Sequence, residues 1–339
     1  MHTAGMDAAS SPVLEDTLHT LKNSPSVINR QFVRCDQNDI LQEVPSHQAR
    51  HDECFRVMQW NVLADALSKS GPNENFIKCP QTALAWSSRK HGLMQEILRS
   101  KADIICLEEV DHYSDFFQPT LASLDYIGFF VPKPDSPCLL YDENNGPDGC
   151  ALFFSAKKFS LILHDQFILR KNDGDTNQVA IVILLETTFL PESKKICIVC
   201  THLKSHSSEW CENIRKEQSA FLLNKVGQLI NFEYIPIIIC GDFNTDPNTP
   251  TYTNFANFQP CHLKSAYALN GEEPKFTTWK FRPKCQVCHT IDYIWFSDKF
   301  LKRVQFLAIP TMSEIGPNAL PAEHYPSDHM SLVAEFKYN

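Results

Sequence analysis

The chain has 339 residues, of which 43% are hydrophobic and 21% are charged, a composition typical of a globular protein with a sizeable core. This length allows one large domain or two ordinary ones. The formal net charge of −9 argues against a protein that coats nucleic acid by bulk electrostatics, but it leaves room for a small basic pocket. The longest apolar run, Val179 to Leu185, is too short to span a membrane, and we expect no membrane contact.

The number and positions of the cysteines indicate the cellular compartment of the protein. The thirteen cysteines are an odd number, and several of them lie inside apolar segments, among them Cys106, Cys200 and Cys240. Such thiols are typical of small buried side chains in a reducing compartment. The first 29 residues contain no arginine and no signal-peptide core. We therefore predict a cytoplasmic protein and leave open an isoform directed to mitochondria.

The hydrophobic pattern of the sequence changes near Phe55, where regular strand patterns begin. Residues 1–50 are polar and weakly patterned, and we assign them to an N-terminal arm that is partly flexible. Residues 51–339 are assigned to one globular domain, and we expect a monomer.

The first part of this domain predicts a strand, a helix and a second strand. Phe55 to Trp60 alternates like a strand and ends at Asn61, and residues 81–100 have helical periodicity. Asp103 to Leu107 is a second strand, which runs directly into Glu108 and Glu109. Polar side chains therefore stand where both strands finish.

The same unit occurs again later in the chain. Lys195 to Cys200 predicts a strand that is followed by Thr201 to Lys204, and a helix is predicted from about Glu212 to Asn231. Ile235 to Cys240 is apolar at every position, as in a strand covered on both faces, and Asp242 and Asn244 follow it. Further strands are predicted at 149–155, 178–186, 290–296 and 329–336. We predict an α/β fold: a four-layer α/β sandwich of two packed mixed β-sheets flanked by helices.

Polar residues at the strand ends are the candidate functional groups, and on one rim they would form a shared site. They are Asn61, Glu109, His202, Asp242, Asn244, Asp292 and His329. Taken singly, each has a structural interpretation: Asn61 as a turn cap, for example, or His202 as a hydrogen-bonded core histidine. As a group they would be costly to bury without a cation or ligand. The set contains no thiolate, which favours Mg²⁺, with Mn²⁺ as the other possibility, and the hydrolysis of a phosphate ester.

Six short motifs carry these residues: Gln-Trp-Asn61, Leu-Glu-Glu109-Val, Thr-His202-Leu-Lys204, Gly-Asp242-Phe-Asn244, Ile-Asp292-Tyr-Ile and Ser-Asp-His329. Their order resembles that of the endonuclease/exonuclease/phosphatase superfamily. Flanking segments around Lys133, Asp148 and Arg282 are similar to one group of its deadenylase-like branch. The resemblance covers roughly residues 28 to 338 and implies that 51–339 is a catalytic phosphoesterase domain.

The resemblance implies roles for the metal-binding and water-activating residues. Glu109 would be the principal ligand of the Mg²⁺ ion, with Asn61 beside it or serving a second cation. Asp242 would act as general base or orient the attacking water, helped by Asn244.

The resemblance also implies how the phosphate is held at the same site. Asp292 would hold His329, whose imidazolium would stabilise the phosphoryl oxygens, and His202 would contact the same phosphate.

Substrate-binding roles follow from the same resemblance. Lys133 and Lys204 would clamp phosphates, and Arg282 and Asp148 would line the substrate groove. At residue 206 the matching group has arginine in the pattern Thr-His-Leu-Lys-Ala-Arg, whereas this chain has His206. A permanent planar charge is thereby replaced by one that is only partial near neutrality. We predict that substrate capture weakens with rising pH and that His206→Arg tightens it.

The implied reaction is the Mg²⁺-dependent removal of the 2′-phosphate of NADP⁺ and NADPH, which gives NAD⁺ and NADH. An alternative is a 3′-exoribonuclease that trims the poly(A) of mRNA. Such an enzyme needs a groove that follows several phosphates and stacks several bases, and the few basic residues near the motifs favour a shorter ligand. A catalytically silent adaptor is a third interpretation, and the presence of every metal and phosphate residue argues against it.

Overall fold

A computed structural model describes residues 27–35, 41–43, 52–68, 76–172, 174–230, 235–259 and 261–339. The strands are β1 (Phe32–Cys35), β2 (Leu41–Glu43), β3 (Phe55–Asn61), β4 (Ile104–Val110), β5 (Tyr126–Pro132), β6 (Gly149–Ser155), β7 (Phe159–Lys171), β8 (Gly174–Thr187), β9 (Lys195–His202), β10 (Ile237–Asp242), β11 (Leu263–Ser265), β12 (Thr278–Arg282), β13 (Cys285–His289), β14 (Asp292–Ser297), β15 (Leu301–Leu307) and β16 (Leu332–Tyr338). The α-helices are α1 (Asp65–Ser68), α2 (Gln81–Leu84), α3 (Trp86–Ser100), α4 (Gln118–Ala122), α5 (Glu209–Leu229), α6 (Pro250–Ala256) and α7 (Met312–Ile315).

Two mixed sheets form the centre of the molecule. The larger sheet has eight strands in the order β2-β1-β15-β16-β3-β4-β6-β5, and the smaller has six in the order β11-β14-β10-β9-β8-β7. Strands β12 and β13 form a separate hairpin. Parallel neighbours occur once in each large sheet, at β3–β4 and at β9–β10, and both pairs are joined through helices as predicted.

Three apolar layers hold the sheets and helices together. Val57 of β3 and Ile198 of β9 belong to the core between the two sheets. Leu93 of α3 packs on the outer face of the larger sheet, and Leu222 of α5 packs on the outer face of the smaller one. The predicted four-layer sandwich is therefore confirmed.

Gly241 lies where β10 passes closest to β9. A Cβ atom at this position would lie 2.2 Å from the carbonyl oxygen of Thr201, which no side chain tolerates. The glycine therefore lets the two parallel strands keep the register that sets Asp242 opposite His202.

The predicted helices occur with shifted ends. The pattern at 81–100 is two helices, because Ala85 adopts an extended conformation with ψ of 136° and separates α2 from α3. The carbonyl of Leu84 accepts a hydrogen bond from the buried Arg89 guanidinium instead of a helical amide. Helix α5 begins three residues before the predicted Glu212, since the Ser208 hydroxyl caps it by accepting the Cys211 amide.

Strand β7 is an element that the sequence analysis did not predict. It lies at the edge of the smaller sheet, and its register with β8 shifts at 161/163 and again at 168/170. These bulges break the two-residue alternation on which strand prediction depends.

Part of the predicted N-terminal arm is built into the larger sheet. Strand β1 pairs antiparallel with β15, with Phe32 opposite Leu307, so the folded unit begins before the predicted boundary at 51. The rest of the arm, residues 1–26, 36–40 and 44–50, lies outside the described residues. Within the described parts of the chain, none of the helices has the length and apolar character needed to cross a membrane.

Arg30 fastens this N-terminal segment. Its guanidinium donates to Glu96 Oε1 at 2.9 Å and to Ser331 Oγ at 2.7 Å, and the two ionic side chains are only 2% and 4% exposed. We expect Arg30→Ala to lower the free energy of unfolding by about 3 kcal/mol, because it leaves the Glu96 carboxylate buried without its cation. Urea denaturation measures the change. The matched control is Arg170→Ala, which removes an exposed 2.8 Å ion pair with Asp175 and is expected to cost less than about 1 kcal/mol. Equal losses in both variants would contradict this interpretation.

Candidate active site

Four strands deliver polar side chains to one edge of the sandwich. Asn61 ends β3, Glu109 lies near the end of β4, His202 ends β9, and Asp242 ends β10. The first two strands are a parallel pair, and so are the last two, so their carboxyl ends meet at the same edge. Asp292 begins the antiparallel β14 directly opposite Asp242, which adds a third carboxylate.

Glu109 is turned toward this edge by its backbone. The residue has φ of 55°, and the pairing of β4 with β6 shifts register between Leu107 and Val110. The local bulge breaks the alternation, so Glu108 points inward and is fully buried while Glu109 is half-buried at the edge. The Asn61 side-chain amide donates to Glu109 Oε1 at 2.9 Å and to Asp242 Oδ2 at 3.1 Å.

Asn61 is therefore placed as a bridge between two carboxylates. Its Oδ1 accepts the Leu63 amide at 3.0 Å, and its nitrogen faces Glu109 and Asp242. Direct coordination of a cation by the oxygen needs a rotation of this amide.

The residues that fit a divalent cation are Glu109, His202 and Asp242. One ligand atom from each lies within 4.8 Å of the others. The Nδ1 atom of His202 is buried and makes no hydrogen bond to the described residues, as an atom near a missing ligand does. Two carboxylates suit Mg²⁺ or Mn²⁺. The second such group, Asp242, Asp292 and His329, is less available because Asp292 already accepts several hydrogen bonds.

Asp292 and His329 form a buried pair beside this group. His329 Nδ1 lies 2.9 Å from Asp292 Oδ2, and the Thr277 hydroxyl donates to the same oxygen at 2.6 Å. Burial by itself lowers the pKa of His329, but the carboxylates, Asp292 first, outweigh it and raise the pKa to about 9. His329 is thus an imidazolium at neutral pH, with its Nε2 atom 3.9 Å from Asp242 Oδ2.

The pKa values of His202 and Asp242 are shifted in directions that reduce the charge on these two neighbouring side chains. Burial, reinforced by the cations Lys133, His329 and Lys280, holds the pKa of His202 well below its usual value, so this imidazole is neutral. Burial and the neighbouring Asp292 raise the pKa of Asp242 to about 7. His202 Nε2 lies 3.6 Å from Asp242 Oδ2.

Asn244 supports the turn that follows Asp242. Its backbone has φ of 52°, a conformation that asparagine tolerates, and its backbone N–H donates to Asp242 Oδ1 at 2.9 Å. Its side chain donates to the Leu203 carbonyl at 3.2 Å, which ties this turn to the loop after His202. The structure thus gives Asn244 a positioning contact with the predicted base.

Lys133 and Asp148 form a buried ion pair at 2.6 Å. The prediction that Asp148 lines the substrate groove is corrected by this contact. Asp148 is 0% exposed, and its carboxylate also accepts the Ser136 hydroxyl, so it presents no surface to a ligand. Asp148 instead positions Lys133. Burial lowers the pKa of Lys133, but Asp148 and Glu109 outweigh it, and the net shift is upward.

Lys280 is a site residue that the sequence analysis missed. Its ammonium bonds the Asp328 carboxylate and lies 3.5 Å from His329 Nε2. It shares one face of strand β12 with the predicted Arg282, which is partly exposed, 4.0 Å from Asp328 and stacked over the Phe76 ring. The alternation of Trp279, Lys280, Phe281 and Arg282 carried this signal. Gln59, which donates to Glu108 at 2.7 Å and to Asp292 at 3.3 Å, was missed as well.

Lys204 and His206 lie on the loop that leaves β9. Arg215 of α5 donates to the carbonyl oxygens of both residues at 2.8 Å and also pairs with Glu212. Arg215 is 4% exposed, so its charge holds this loop and is not offered to a substrate in place of the arginine absent at 206. His206 is exposed and has φ of 89°.

Comparison with known proteins agrees with this geometry. A model of the "Endonuclease/Exonuclease/phosphatase family" matches residues 58–329. The chain belongs to this family of hydrolases, as the motifs predicted. Within it, the chain is similar to nocturnin of Xenopus laevis, at 43% identity over 331 residues that make up 96% of this chain and 81% of the relative. Human nocturnin is also 43% identical, with 96% of this chain and 73% of the relative covered.

Solved structures give the same result. The human nocturnin catalytic domain with a bound sulfate anion has a TM-score of 0.72 at 38% identity, covering 91% of this chain and 98% of that one. ANGEL2, described as a 2′,3′-cyclic phosphatase and solved with adenosine-2′,3′-vanadate, has a TM-score of 0.72 at 25% identity, covering 92% and 99%.

Proposed function

We propose that this protein is a Mg²⁺-dependent phosphatase that removes the 2′-phosphate of NADP⁺ and NADPH to give NAD⁺ and NADH. The observation that carries the proposal is the number of nitrogen groups around one point. Lys133, Lys280 and His329 all lie near enough to His202 to lower its pKa. These three cations match the double negative charge of a terminal phosphate monoester better than the single charge of a diester.

Glu109 and Asp242 would hold the cation, with His202 and the Asn61 amide beside them. When bound, the Mg²⁺ or Mn²⁺ ion supplies neutralisation of charge on the phosphoryl oxygens. Asp242, whose pKa is about 7, accepts a proton from the attacking water, and Asn244 fixes the Asp242 turn.

The protein groups then stabilise the phosphoryl transfer itself. The water oxygen bonds to phosphorus as its proton passes to Asp242, the bond from phosphorus to the ribose 2′-oxygen breaks, and that oxygen takes up a proton from solvent. His329, held by Asp292, and Lys280 donate to the phosphoryl oxygens, and His202 contacts the same phosphate. Lys133 and Lys204 bind phosphates of the substrate, with Arg282 at the rim.

The relatives support a substrate of this class. Nocturnins of Xenopus laevis and Rattus norvegicus are 43% and 46% identical to this chain, and ANGEL2 was solved with a phosphate analogue on the 2′ and 3′ positions of adenosine. A ribose 2′-phosphate carries its phosphorus on the same 2′-oxygen of adenosine, although as a monoester and not as a cyclic diester.

A second candidate is a 3′-exoribonuclease that acts on poly(A). The Ccr4 exoribonuclease subunit of the CCR4-Not complex from Yarrowia lipolytica is 28% identical over 84% of this chain and 48% of its own length. A catalytically silent adaptor is disfavoured because the carboxylates, imidazoles and lysines converge as a working site requires.

The deciding experiment offers NADPH and oligo(A) to the pure protein with Mg²⁺ and follows free phosphate and AMP. Phosphate from NADPH without AMP from oligo(A) supports the phosphatase, and AMP alone supports the exoribonuclease. If the wild type forms neither product and behaves like Glu109→Ala, the adaptor interpretation is the one that remains.

His206 allows a prediction about substrate capture. Histidine loses its charge between pH 5 and 8, whereas arginine keeps it. We expect His206→Arg to lower the KM for NADPH by about threefold to tenfold at pH 8 and to have little effect at pH 6. The Arg215 contact is to the main chain of residue 206 and is kept in the variant, whereas the 3.3 Å hydrogen bond from the Ser208 amide to His206 Nδ1 is lost. Measurement of KM across pH 6 to 8 tests this, and a KM that does not change in the variant counts against it.

We also propose that the protein is a cytoplasmic monomer. The twelve described cysteines are free thiols, and ten of them are buried, which fits a reducing compartment.

A further inference from the structure

The hairpin of β7 and β8 projects past the catalytic edge, which is the edge of the sandwich where Asn61, Glu109, His202 and Asp242 meet. Phe167 pairs with Ala180, which in turn pairs with Thr201, the residue before His202. Lys171 lies four residues further along β7, roughly 13 Å beyond that level at about 3.3 Å per residue. The end of this hairpin, residues 168–172 and 174–178, is called the overhang below.

The overhang is fastened to both sides of the site. The Asn177 side chain accepts the Asp135 amide at 2.7 Å, two residues after Lys133. On the other side, Gln218 of α5 donates to Gln178 at 2.7 Å and accepts the main-chain amide of Lys204 at 3.1 Å. One wall therefore runs from the Lys133 loop through the overhang to the Lys204 loop and α5.

Trp210 stands at the tip of this wall. It is the second residue of α5, its surface is 61% exposed, and the Lys171 ammonium lies 5.2 Å from the centre of its ring. Large aromatic side chains are rarely left this exposed without a partner or ligand. An indole face beside lysines is the arrangement with which proteins stack the bases of nucleotides and bind their backbone phosphates.

We propose that Trp210 stacks the distal base of the nucleotide substrate, which is the base separated from the reacting ribose by at least one phosphate. This inference rests on the proposed function, because that function sets the reacting phosphate at His202 and Asp242. The adenine of NADP(H) is attached to the reacting ribose itself and stays close to the catalytic group. Trp210, at the far end of the overhang, is in reach of the nicotinamide, with Lys171 and Lys204 on the path of the pyrophosphate.

The test compares two substrates that differ only in the distal part. Trp210→Ala is expected to raise the KM for NADPH roughly tenfold, the lower range for loss of a base–aromatic stack. The KM for adenosine 2′,5′-bisphosphate, which lacks the nicotinamide, is expected to stay unchanged. Trp210→Phe keeps a ring and is expected to stay within about threefold of the wild type for NADPH. Ile162→Ala, at another exposed apolar side chain that lies near the start of β7, is the matched control.

The possible outcomes distinguish base stacking by Trp210, called the platform here, from an effect on the reaction itself. An equal rise in KM for both compounds, or no rise for either, overturns the assignment of Trp210 to the distal base. Binding is measured independently in Asp242→Asn by the quenching of tryptophan fluorescence with NADP⁺ and with the dinucleotide ApA. Quenching that disappears in Asp242→Asn/Trp210→Phe supports the platform, and quenching that persists overturns it. A wild-type protein that releases no phosphate defeats the proposed function, while this titration still decides the role of Trp210.

Discussion

Glu109→Gln is expected to lower kcat for phosphate release by about 10³-fold. The substitution keeps the shape of the side chain and the hydrogen bond from Asn61, but it removes the negative charge that faces the other carboxylate. Without this charge the site holds a divalent cation weakly, and charge on the phosphoryl oxygens is left uncompensated. Assays over a range of Mg²⁺ concentrations measure the effect.

The neighbouring residue supplies the control for this prediction. Glu108 is one position away, is fully buried, and has a pKa raised well above its usual value by burial first and then by Cys150 and Asp292. Burial therefore favours its acid form over the carboxylate, and an amide keeps the shape of that side chain. We expect Glu108→Gln to keep kcat within about threefold. If Glu108→Gln is as damaging as Glu109→Gln, the assignment of the metal ligand is wrong.

A second readout separates metal loss from misfolding. A cation that binds only the folded protein raises its melting temperature in proportion to the logarithm of its concentration. Mg²⁺ or Mn²⁺ is expected to stabilise the wild type and Glu108→Gln, but not Glu109→Gln. A Glu109→Gln variant with a normal melting temperature in the absence of metal would show that the fold is intact.

The convergence of polar side chains at one edge of the sandwich could be predicted because each of them follows directly on a local strand pattern. Apolar runs that end abruptly at Asn61, Glu109, His202 and Asp242 mark the carboxyl ends of strands, and such ends meet when the strands are parallel neighbours. The packing of the two sheets depends on contacts between residues that are distant in the chain. No local sequence pattern indicates which edges of the two sheets come together. That step depended on the resemblance of ordered motifs to a family.

The residues that were missed, or were given the wrong role, act through partners distant in the chain. Lys280 looks like an ordinary exposed lysine of a strand until Asp328, 48 residues later, is set beside it. Asp148 sits in a polar loop segment, and only its contact with Lys133 shows that it is buried and supports another side chain. Strand β7 was missed for a different reason, since its bulges remove the periodic signal itself.

The overhang illustrates how such errors affect function. Its projection past the catalytic edge depends on the register of β7 against β8, and that register contains the bulges. Without β7 the sequence analysis had no element with which to place Lys171, and Trp210 had no significance beyond an exposed aromatic residue. In the proposed role of the overhang, substrate length is therefore decided by the part of the fold that has the weakest local signal.

Asp292→Asn is expected to lower kcat at pH 7.5 by about 10²- to 10³-fold and to change the pH dependence. His329 is charged below its pKa of about 9, and this charge is lost as pH rises through that value. Burial and Lys280 both favour the neutral imidazole, and Asp292 is the main group that opposes them. Replacing its carboxylate with an amide therefore lowers the pKa of His329, and the alkaline limb of the kcat profile moves from about 9 to a lower pH.

The profile distinguishes this electrostatic role from a purely structural one. A variant that had only lost packing would show a lower kcat at every pH with the alkaline limb still near 9. In Asp292→Asn we expect partial recovery of activity as pH falls, because His329 regains its proton, while Asp125→Asn, at an exposed surface ion pair with Lys157, is expected to keep the wild-type profile. Partial recovery at acid pH requires that Asp242 still works there as a carboxylate. Burial and Asp292 together raise the pKa of Asp242 to about 7, and the variant removes the Asp292 charge, so we expect the acid limb of its profile to move to lower pH as well. A fixed alkaline limb would show that Asp292 does not set the charge of His329.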